Sequence, residues 1–372
     1  MTQTDIAALI LDQGTYSFKA GLSGDDEPQV VFRTIEAGDQ GGSFLYGRDA
    51  LKRKNTPQKL TFPIKCGIIT DWDTMERLWR HVFEQQLAIS PDECPVLLTE
   101  APFNPKNHRE KMTEIMFETF NTPAMHAATK TVLSLYSTGE MTGVVLDVGE
   151  SISHAVPIYE GYALPHVIKK FTVGGQDVSE ELMKFLTSLG HGESLAGMDL
   201  DQRDRATEGM KEQLCYITED YNNELKKSKN DFEQYKLPDG RTIKLACERF
   251  QCTEILFESG KERTSVQDLV VNSIKSSDPS IIGTFYSKIV LAGGTSMLPG
   301  FKERIHKEIV KLIPSSHRKK HPPNVTSQPE RKYASWVGGS VLANLSSFQD
   351  MWIAKEEFQE VGPSIIHQKC FY

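Results

Sequence analysis

The sequence predicts an α/β fold made of two similar halves facing each other across a cleft. Three observations carry this: two copies of an apolar run ending in Asp-x-Gly, strand-like and helix-like stretches mixed along the whole chain, and a third apolar run entering paired glycines. The first copy is Leu9-Ile10-Leu11-Asp12-Gln13-Gly14-Thr15; the second is Val144-Val145-Leu146-Asp147-Val148-Gly149-Glu150-Ser151. Each reads as a buried strand, a turn and a second, partly apolar strand (Phe18 to Leu22; Ala155 to Ile158), a hairpin whose turn exposes backbone N–H groups. Such turns suit phosphate, and two of them offer one carboxylate from each half to a metal-bound phosphate. One Asp-x-Gly alone means little, since any strand can end this way; the repetition gives it weight.

Between these markers the elements follow in order. Glu36-Ala37-Gly38-Asp39-Gln40-Gly41-Gly42-Ser43 has the composition of a loop. Trp72 to Leu87 carries Met75, Leu78, Trp79, Val82 and Phe83 at helical spacing, with Asp71 and Asp73 placed as caps. Pro95 to Glu100 reads as a buried strand. A helix is expected from about Asn107 to Phe120, where Met112, Ile115, Met116 and Phe120 share a core-facing side. The Gly190–Gly240 region is charged and mostly helical in character, with Leu225 to Glu233 exposed, and Leu237-Pro238-Asp239-Gly240 marks a turn between strands. The third apolar run, Ser287 to Ala292, enters Gly293-Gly294-Thr295 and then a helix carrying Phe301, Ile305 and Ile309. Paired glycines let a flat ligand approach the backbone, because no Cβ intervenes. With no low-complexity linker, the lobes are expected to pack closely around a hinge.

The 372 residues, 39% hydrophobic and 25% charged, are enough for a substantial core in two or three domains. A net charge of −8 and a pI near 5.8 argue against nucleic acid and anionic membrane as partners of the whole molecule. The basic run Ser315-Ser316-His317-Arg318-Lys319-Lys320-His321-Pro322-Pro323 is expected to be a solvated loop. Cys66, Cys94, Cys215, Cys247, Cys252 and Cys370 form no CxxC pair, so neither zinc nor a disulfide framework is expected. The amino terminus lacks a basic, then apolar leader, and no apolar stretch approaches a membrane span. An intracellular protein without membrane insertion is expected.

With these motifs in place, the chain closely resembles actin and the actin-related proteins over nearly its whole length. Further matching strings are Pro95 to Pro102 (PVLLTEAP), Pro157 to Pro165 (PIYEGYALP), Pro329 to Tyr333 (PERKY) and Gly362 to Phe371 (GPSIIHQKCF). The resemblance implies an actin-like ATPase fold, two RNase H-like halves forming four subdomains, with ATP or ADP and Mg2+ in the cleft. It divides the chain into residues 1–32, 63–137 and 334–372 (first subdomain), 33–62 (second), 138–173 and 262–333 (third) and 174–261 (fourth).

The resemblance also places Asp12, Gly14, Thr15, Tyr16 and Lys19 in the first phosphate loop and Asp147, Gly149, Glu150 and Ser151 in the second. Asp12 and Asp147 would hold the cation through its water shell, and Lys19 would neutralise phosphate as a point charge. Gly175, Lys211, Glu212, Gly293, Gly294, Thr295 and Lys332 fall where the family lines the nucleotide pocket.

Departures from the pattern bear on mechanism. Asp-Asn-Gly-Ser-Gly in the family reads Asp12-Gln13-Gly14-Thr15-Tyr16 here, and Asp-Ser-Gly-Asp-Gly reads Asp147-Val148-Gly149-Glu150-Ser151. If the lost glycines had used positive φ, both loops would have to change shape. Leu298 replaces a tyrosine beside the adenine. Lys130 stands where actin's pattern has the glutamine that orients the attacking water, while His154, also near that water, is retained. Losing the amide is expected to slow hydrolysis. The lysine has three places to go: onto phosphate, onto Asp12 or Asp147 in place of the cation, or into solvent.

The segment between Ile35 and Tyr46 is shorter than the family's filament-gripping loop, and Phe257-Glu258-Ser259-Gly260-Lys261-Glu262-Arg263-Thr264 replaces an apolar plug. Burying such charges without partners is costly. His317 to Thr326 alters a further surface. Poor assembly into ordinary filaments is expected. The leading reading is an actin-like, cytoplasmic cytoskeletal protein that binds ATP and hydrolyses it weakly, with actin, other cytoskeletal proteins or itself as partner. The alternative is an actin-related adaptor subunit of a larger cytoplasmic or nuclear complex, with structural ATP. A sugar kinase or chaperone ATPase with the same ancestral cleft fits the Pro95 and C-terminal strings poorly.

Overall fold

Two mixed sheets of six strands each organise the chain in the computed structural model, which describes residues 7–38, 42–52, 59–227, 231–260 and 264–371. Their strands, in chain order, are β1 (Leu9–Gln13), β2 (Ser17–Leu22), β3 (Val30–Arg33), β4 (Val96–Glu100), β5 (Ala124–Thr129), β6 (Gly143–Val148), β7 (Ser153–Tyr159), β8 (Tyr162–Ala163), β9 (Lys169–Phe171), β10 (Ile289–Ala292), β11 (Val325–Thr326) and β12 (Ile353–Ala354). The first sheet runs β12-β5-β4-β1-β2-β3. The second runs β8-β7-β6-β10-β11, with β9 also paired to β7.

The expected duplication is present at the level of register. β1 pairs antiparallel with β2, setting Asp12 opposite Lys19, and parallel with β4. β6 pairs antiparallel with β7, setting Asp147 opposite His154, and parallel with β10. Both central strands are apolar because both faces are covered, which is the usual state of a strand with parallel neighbours. Leu9 and Leu11 point into one core while Ile10 points into another; Val144, Leu146 and Val148 are separated from Val145 in the same way.

The Lys130–Tyr136 helix, which touches β5 of the first sheet and β6 and β10 of the second, crosses the Ala334–Ala343 helix. Gly338 permits the close approach: a Cβ there would lie 1.7 Å from the Leu133 carbonyl oxygen. Beside it, the buried Trp336 indole donates to the Ile10 carbonyl at 3.2 Å, tying this helix to β1.

Most of the expected elements are present. The Trp72–His81 helix is capped by Asp71, whose side chain accepts from the Thr74 N–H at 3.0 Å, and it widens into a π-helical turn over Val82–Gln86. The Lys106–Glu114 helix widens likewise over Ile115–Thr119. The turn at Leu237–Gly240 joins strands Glu233–Lys236 and Thr242–Leu245, with Gly240 at φ +89°. All six cysteines are free thiols. The basic run corrects the expectation of a loop: Ser315–Lys320 forms a short helix begun after Pro314, whose carbonyl accepts from the His317 N–H at 3.0 Å. No helix among the described residues is long and apolar enough to cross a membrane.

Candidate functional site

The two Asp-x-Gly turns are built alike. The Gly14 N–H donates to the Ser17 carbonyl and the Gly149 N–H to the Ile152 carbonyl, each at 3.1 Å. Among the described residues, no acceptor takes the N–H groups of Thr15 and Tyr16 or of Glu150 and Ser151. The lost glycines impose no backbone strain, since neither Tyr16 nor Ser151 adopts a positive φ.

Each turn is braced by side chains distant in sequence. The Thr34 hydroxyl donates to the Gly14 carbonyl at 2.7 Å, and the Thr15 hydroxyl accepts from the Gly67 N–H at 3.0 Å. The Tyr16 ring lies 3.8 Å beneath the Arg33 guanidinium, which is paired with Asp204 at 2.9 Å. On the other side, the Gly149 carbonyl accepts from the Gly175 N–H at 3.0 Å and from the Thr295 hydroxyl at 2.8 Å. The Glu150 carbonyl accepts from the Gln176 N–H at 2.8 Å. The first turn of the Gly175–Ser188 helix is thereby docked on the second Asp-x-Gly turn, satisfying donors that a helix start otherwise leaves unpaired.

Several glycines are required by proximity. A Cβ at Gly175 would lie 2.7 Å from the Thr295 hydroxyl and 2.8 Å from a Glu150 carboxylate oxygen. Gly293 has φ +85°, and a Cβ there would meet an Asp147 carboxylate oxygen at 2.4 Å. Gly294 by contrast faces open space, with nothing within 4 Å. The Gly175 surroundings also hold Lys211, which donates to the Gly175 carbonyl (3.3 Å), the Ser179 hydroxyl (2.9 Å) and the Glu208 carboxylate (2.9 Å). Burial pushes the Glu150 carboxyl up to about 7, with Lys211 opposing the rise and Glu208 adding to it.

Of the three destinations open to Lys130, the structure shows the one at Asp12. Its Nζ lies 3.2 Å from Asp12 Oδ1 and donates a very short bond to the Gln13 carbonyl. Asp12 is completely buried. Its Oδ1 also accepts from the Thr99 hydroxyl at 2.9 Å, and its Oδ2 is paired with Lys19 at 3.0 Å. Burial alone would raise the Asp12 pKa, but Lys130 and Lys19 together hold it far below the ordinary carboxylate range. Asp147 keeps a partly exposed edge; desolvation pushes its carboxyl up, Lys130 draws it down and Asp12 pushes it up. His154 is buried, and desolvation brings its pKa down to about 4, so the ring is neutral at pH 7.

The arrangement suits phosphate better than a divalent ion. Among the described residues, four turn N–H donors lack acceptors and the buried Ser151 hydroxyl has no partner. A divalent ion beside Asp12 fits poorly: Oδ1 already accepts from two internal donors and Oδ2 from one, and Lys130 and Lys19 supply positive charge there. At about 4 Å, each ammonium would repel such an ion by roughly 8 kcal/mol at an effective dielectric near 20, cancelling the attraction of one carboxylate at the same distance. Among the described residues, no group of three or more His, Cys, Asp or Glu side chains could hold a metal.

Not every expected residue joins the constellation. Glu212 is exposed on the Leu200–Leu214 helix. Lys332 is also exposed, with its ammonium 4.7 Å from the Tyr333 ring centroid. Its neighbour Arg331 does the structural work, donating to the Ser296 carbonyl at 2.7 Å and, through its own carbonyl, accepting from the Gly293 N–H at 3.3 Å. Leu298 is buried in the core of the second half. Sequence reasoning missed Thr99, Arg33, Asp204 and Glu208 because their roles arise from contacts across the fold. Only the aromatic at Tyr16, in place of a glycine, hinted that something must cover that turn. A family model described as Actin matches residues 3–371, and the chain belongs to the actin family.

Proposed function

We propose that this actin-family chain binds ATP between its two halves, hydrolyses it weakly and assembles poorly into filaments of the usual type. The unpaired N–H groups at Thr15, Tyr16, Glu150 and Ser151 support a phosphate site. The open face at Gly294 leaves room for a flat base beside Thr295. The proposed site keeps Asp12, Lys19, Asp147, Gly175, Lys211, Gly293 and the two turns; Glu212 and Lys332 would serve only its outer rim. The four-subdomain division stated above is part of this proposal.

Weak hydrolysis is carried by one observation, the attachment of Lys130 to Asp12 and the Gln13 carbonyl. An amide at this position can accept a hydrogen bond from the attacking water and so orient its lone pair. An ammonium has no acceptor and cannot. His154, neutral and opposite Asp147, still offers a ring nitrogen, so slow turnover is expected. The test is to purify the protein, identify the nucleotide that accompanies it and follow phosphate release. ATP should persist; release as fast as that of ordinary actin overturns the reading.

For assembly, Glu258, Ser259 and Gly260 are exposed and polar where an apolar tip is expected, while residues 39–41 and 261–263 lie outside the described residues. Partners would be actin, other cytoskeletal proteins or a second copy of the chain, in a cytoplasmic, cytoskeletal setting. Abundant pelleting under magnesium and salt, with filaments visible by electron microscopy, would reject poor assembly. Stable copurifying partners without filaments would favour the adaptor role.

A further inference from the structure

We propose that the Lys130 ammonium is the resident counter-cation of the Asp12–Asp147 carboxylate pair, so that this cleft takes nucleoside triphosphate without a divalent ion. The inference rests on the nucleotide reading above and goes beyond it by naming the ionic form of the ligand.

Three features of the geometry lead there. The first is occupancy. Asp12 is buried and uses both oxygens internally, Oδ2 with Lys19 at 3.0 Å and Oδ1 with the Thr99 hydroxyl at 2.9 Å and Lys130 at 3.2 Å. A hydrated magnesium ion is held by carboxylates that accept hydrogen bonds from its waters. Both acceptor positions of Asp12 Oδ1 are thereby taken, and one of the two on Oδ2, which leaves this carboxylate little capacity for that purpose.

The second feature is charge. Asp12 and Asp147 contribute two negative charges, and Lys19 and Lys130 contribute two positive ones. A divalent ion added to that neutral set would leave the group with a net charge of two. Lys130 thus offsets the charge that would otherwise call a cation to the carboxylate pair.

The third is fixation. Lys130 is the first residue of the Lys130–Tyr136 helix, directly after β5, and its side chain is only 14% exposed. Its ammonium is held from two directions, by the Asp12 carboxylate and the Gln13 carbonyl. A lysine anchored in this way is a fixed charge, whereas a surface lysine is a mobile one. Its three donors leave one direction available for a phosphate oxygen after those two bonds are made.

The experiment measures ATP affinity of the purified full-length chain by equilibrium dialysis, once with magnesium and once with excess EDTA. The wild-type dissociation constant should agree between the two conditions within about threefold. Lys130→Gln restores the amide and removes the charge, and should need magnesium, binding at least about thirtyfold more weakly in EDTA. Lys130→Arg keeps the charge and should remain indifferent to EDTA. If Lys130→Gln fails to fold, the wild type and Lys130→Arg still decide. A wild-type protein that loses ATP more than about tenfold on chelation overturns the inference while leaving nucleotide binding intact. No ATP binding in either condition rejects the nucleotide reading, and the inference with it.

Discussion

The Arg33 guanidinium is paired with Asp204 at 2.9 Å while lying 3.8 Å over the Tyr16 ring, so one side chain joins the first Asp-x-Gly turn to the opposite half. Arg33 ends β3 of the first sheet. Asp204 lies on the Leu200–Leu214 helix, whose Ala206 and Met210 belong to the core of the second half. Both side chains are mostly buried, so the pair escapes the screening that reduces surface ion pairs to little value. Arg33→Ala and Asp204→Ala should each speed nucleotide release, and a double-mutant cycle should show a coupling of about 1–3 kcal/mol. Strict additivity of the two substitutions in release rate and melting temperature would mean that the pair does not latch the halves.

The crossing of the Lys130–Tyr136 and Ala334–Ala343 helices gives a second prediction. A Cβ at Gly338 would lie 1.7 Å from the Leu133 carbonyl oxygen, and backbone cannot yield as a flexible side chain can. Gly338→Ala should cost about 3 kcal/mol through forced separation of the helices. Gly294→Ala is the control, because nothing lies within 4 Å of the point where its methyl group would stand and its φ is unexceptional. Chemical denaturation of both variants checks the contrast; equal stabilities would show that the helices slide freely past one another.

What can be read in the sequence follows physical range. β1 and β6 are legible because complete burial on both faces leaves an uninterrupted apolar run, and the turns because Asp-x-Gly ends both runs. The helices at Trp72 and Lys106 are legible from their spacing, although their π-helical last turns are not, since a one-residue widening barely disturbs the pattern. Lys130 is recognisable as out of place, yet its destination stays open: solvent, phosphate and aspartate all satisfy an ammonium. Thr99, Arg33 and Asp204 give no local sign because each acts on a turn far away in sequence. The short helix in the basic run is invisible too, because charge composition reports exposure and says little about backbone conformation.

Glu150 supplies a third prediction, on stability. Burial raises its carboxyl to about 7 from an ordinary value near 4.5, Lys211 opposing and Glu208 assisting, with Arg33 and Asp204 adding smaller opposite effects. The folded state therefore holds this proton where the unfolded chain has lost it. Stability from this group is fully present below about pH 4.5 and is lost as pH rises to 7. Above that, Glu150→Gln should stabilise the nucleotide-free protein by about 3 kcal/mol relative to wild type, and at pH 4.5 by little. Thermal melts at pH 5 and 8 separate the two cases; a pH-independent difference would place the carboxylate in a well-compensated setting.

The buried histidines act in the opposite direction. His126 packs edge-on against Phe348 and Trp352, with Nδ1 3.1 Å from the Met351 carbonyl oxygen. A carbonyl only accepts, so Nδ1 carries the proton of the neutral ring. Desolvation holds both His126 and His154 near pKa 4, below the ordinary value of 6.5. The unfolded chain binds their protons first as pH falls, so stability declines between about pH 6.5 and 4, by about 3 kcal/mol for each histidine. Glu150 returns about 3 kcal/mol over an overlapping range, leaving a net loss of about 3 kcal/mol from the three groups. His126→Phe with His154→Gln removes both losses and leaves the Glu150 gain. The double variant should therefore become more stable between pH 7 and 4.5 while the wild type becomes less so. Urea denaturation across that range reads the sign directly, and parallel pH profiles for the two proteins would refute the assignment of neutral, buried rings.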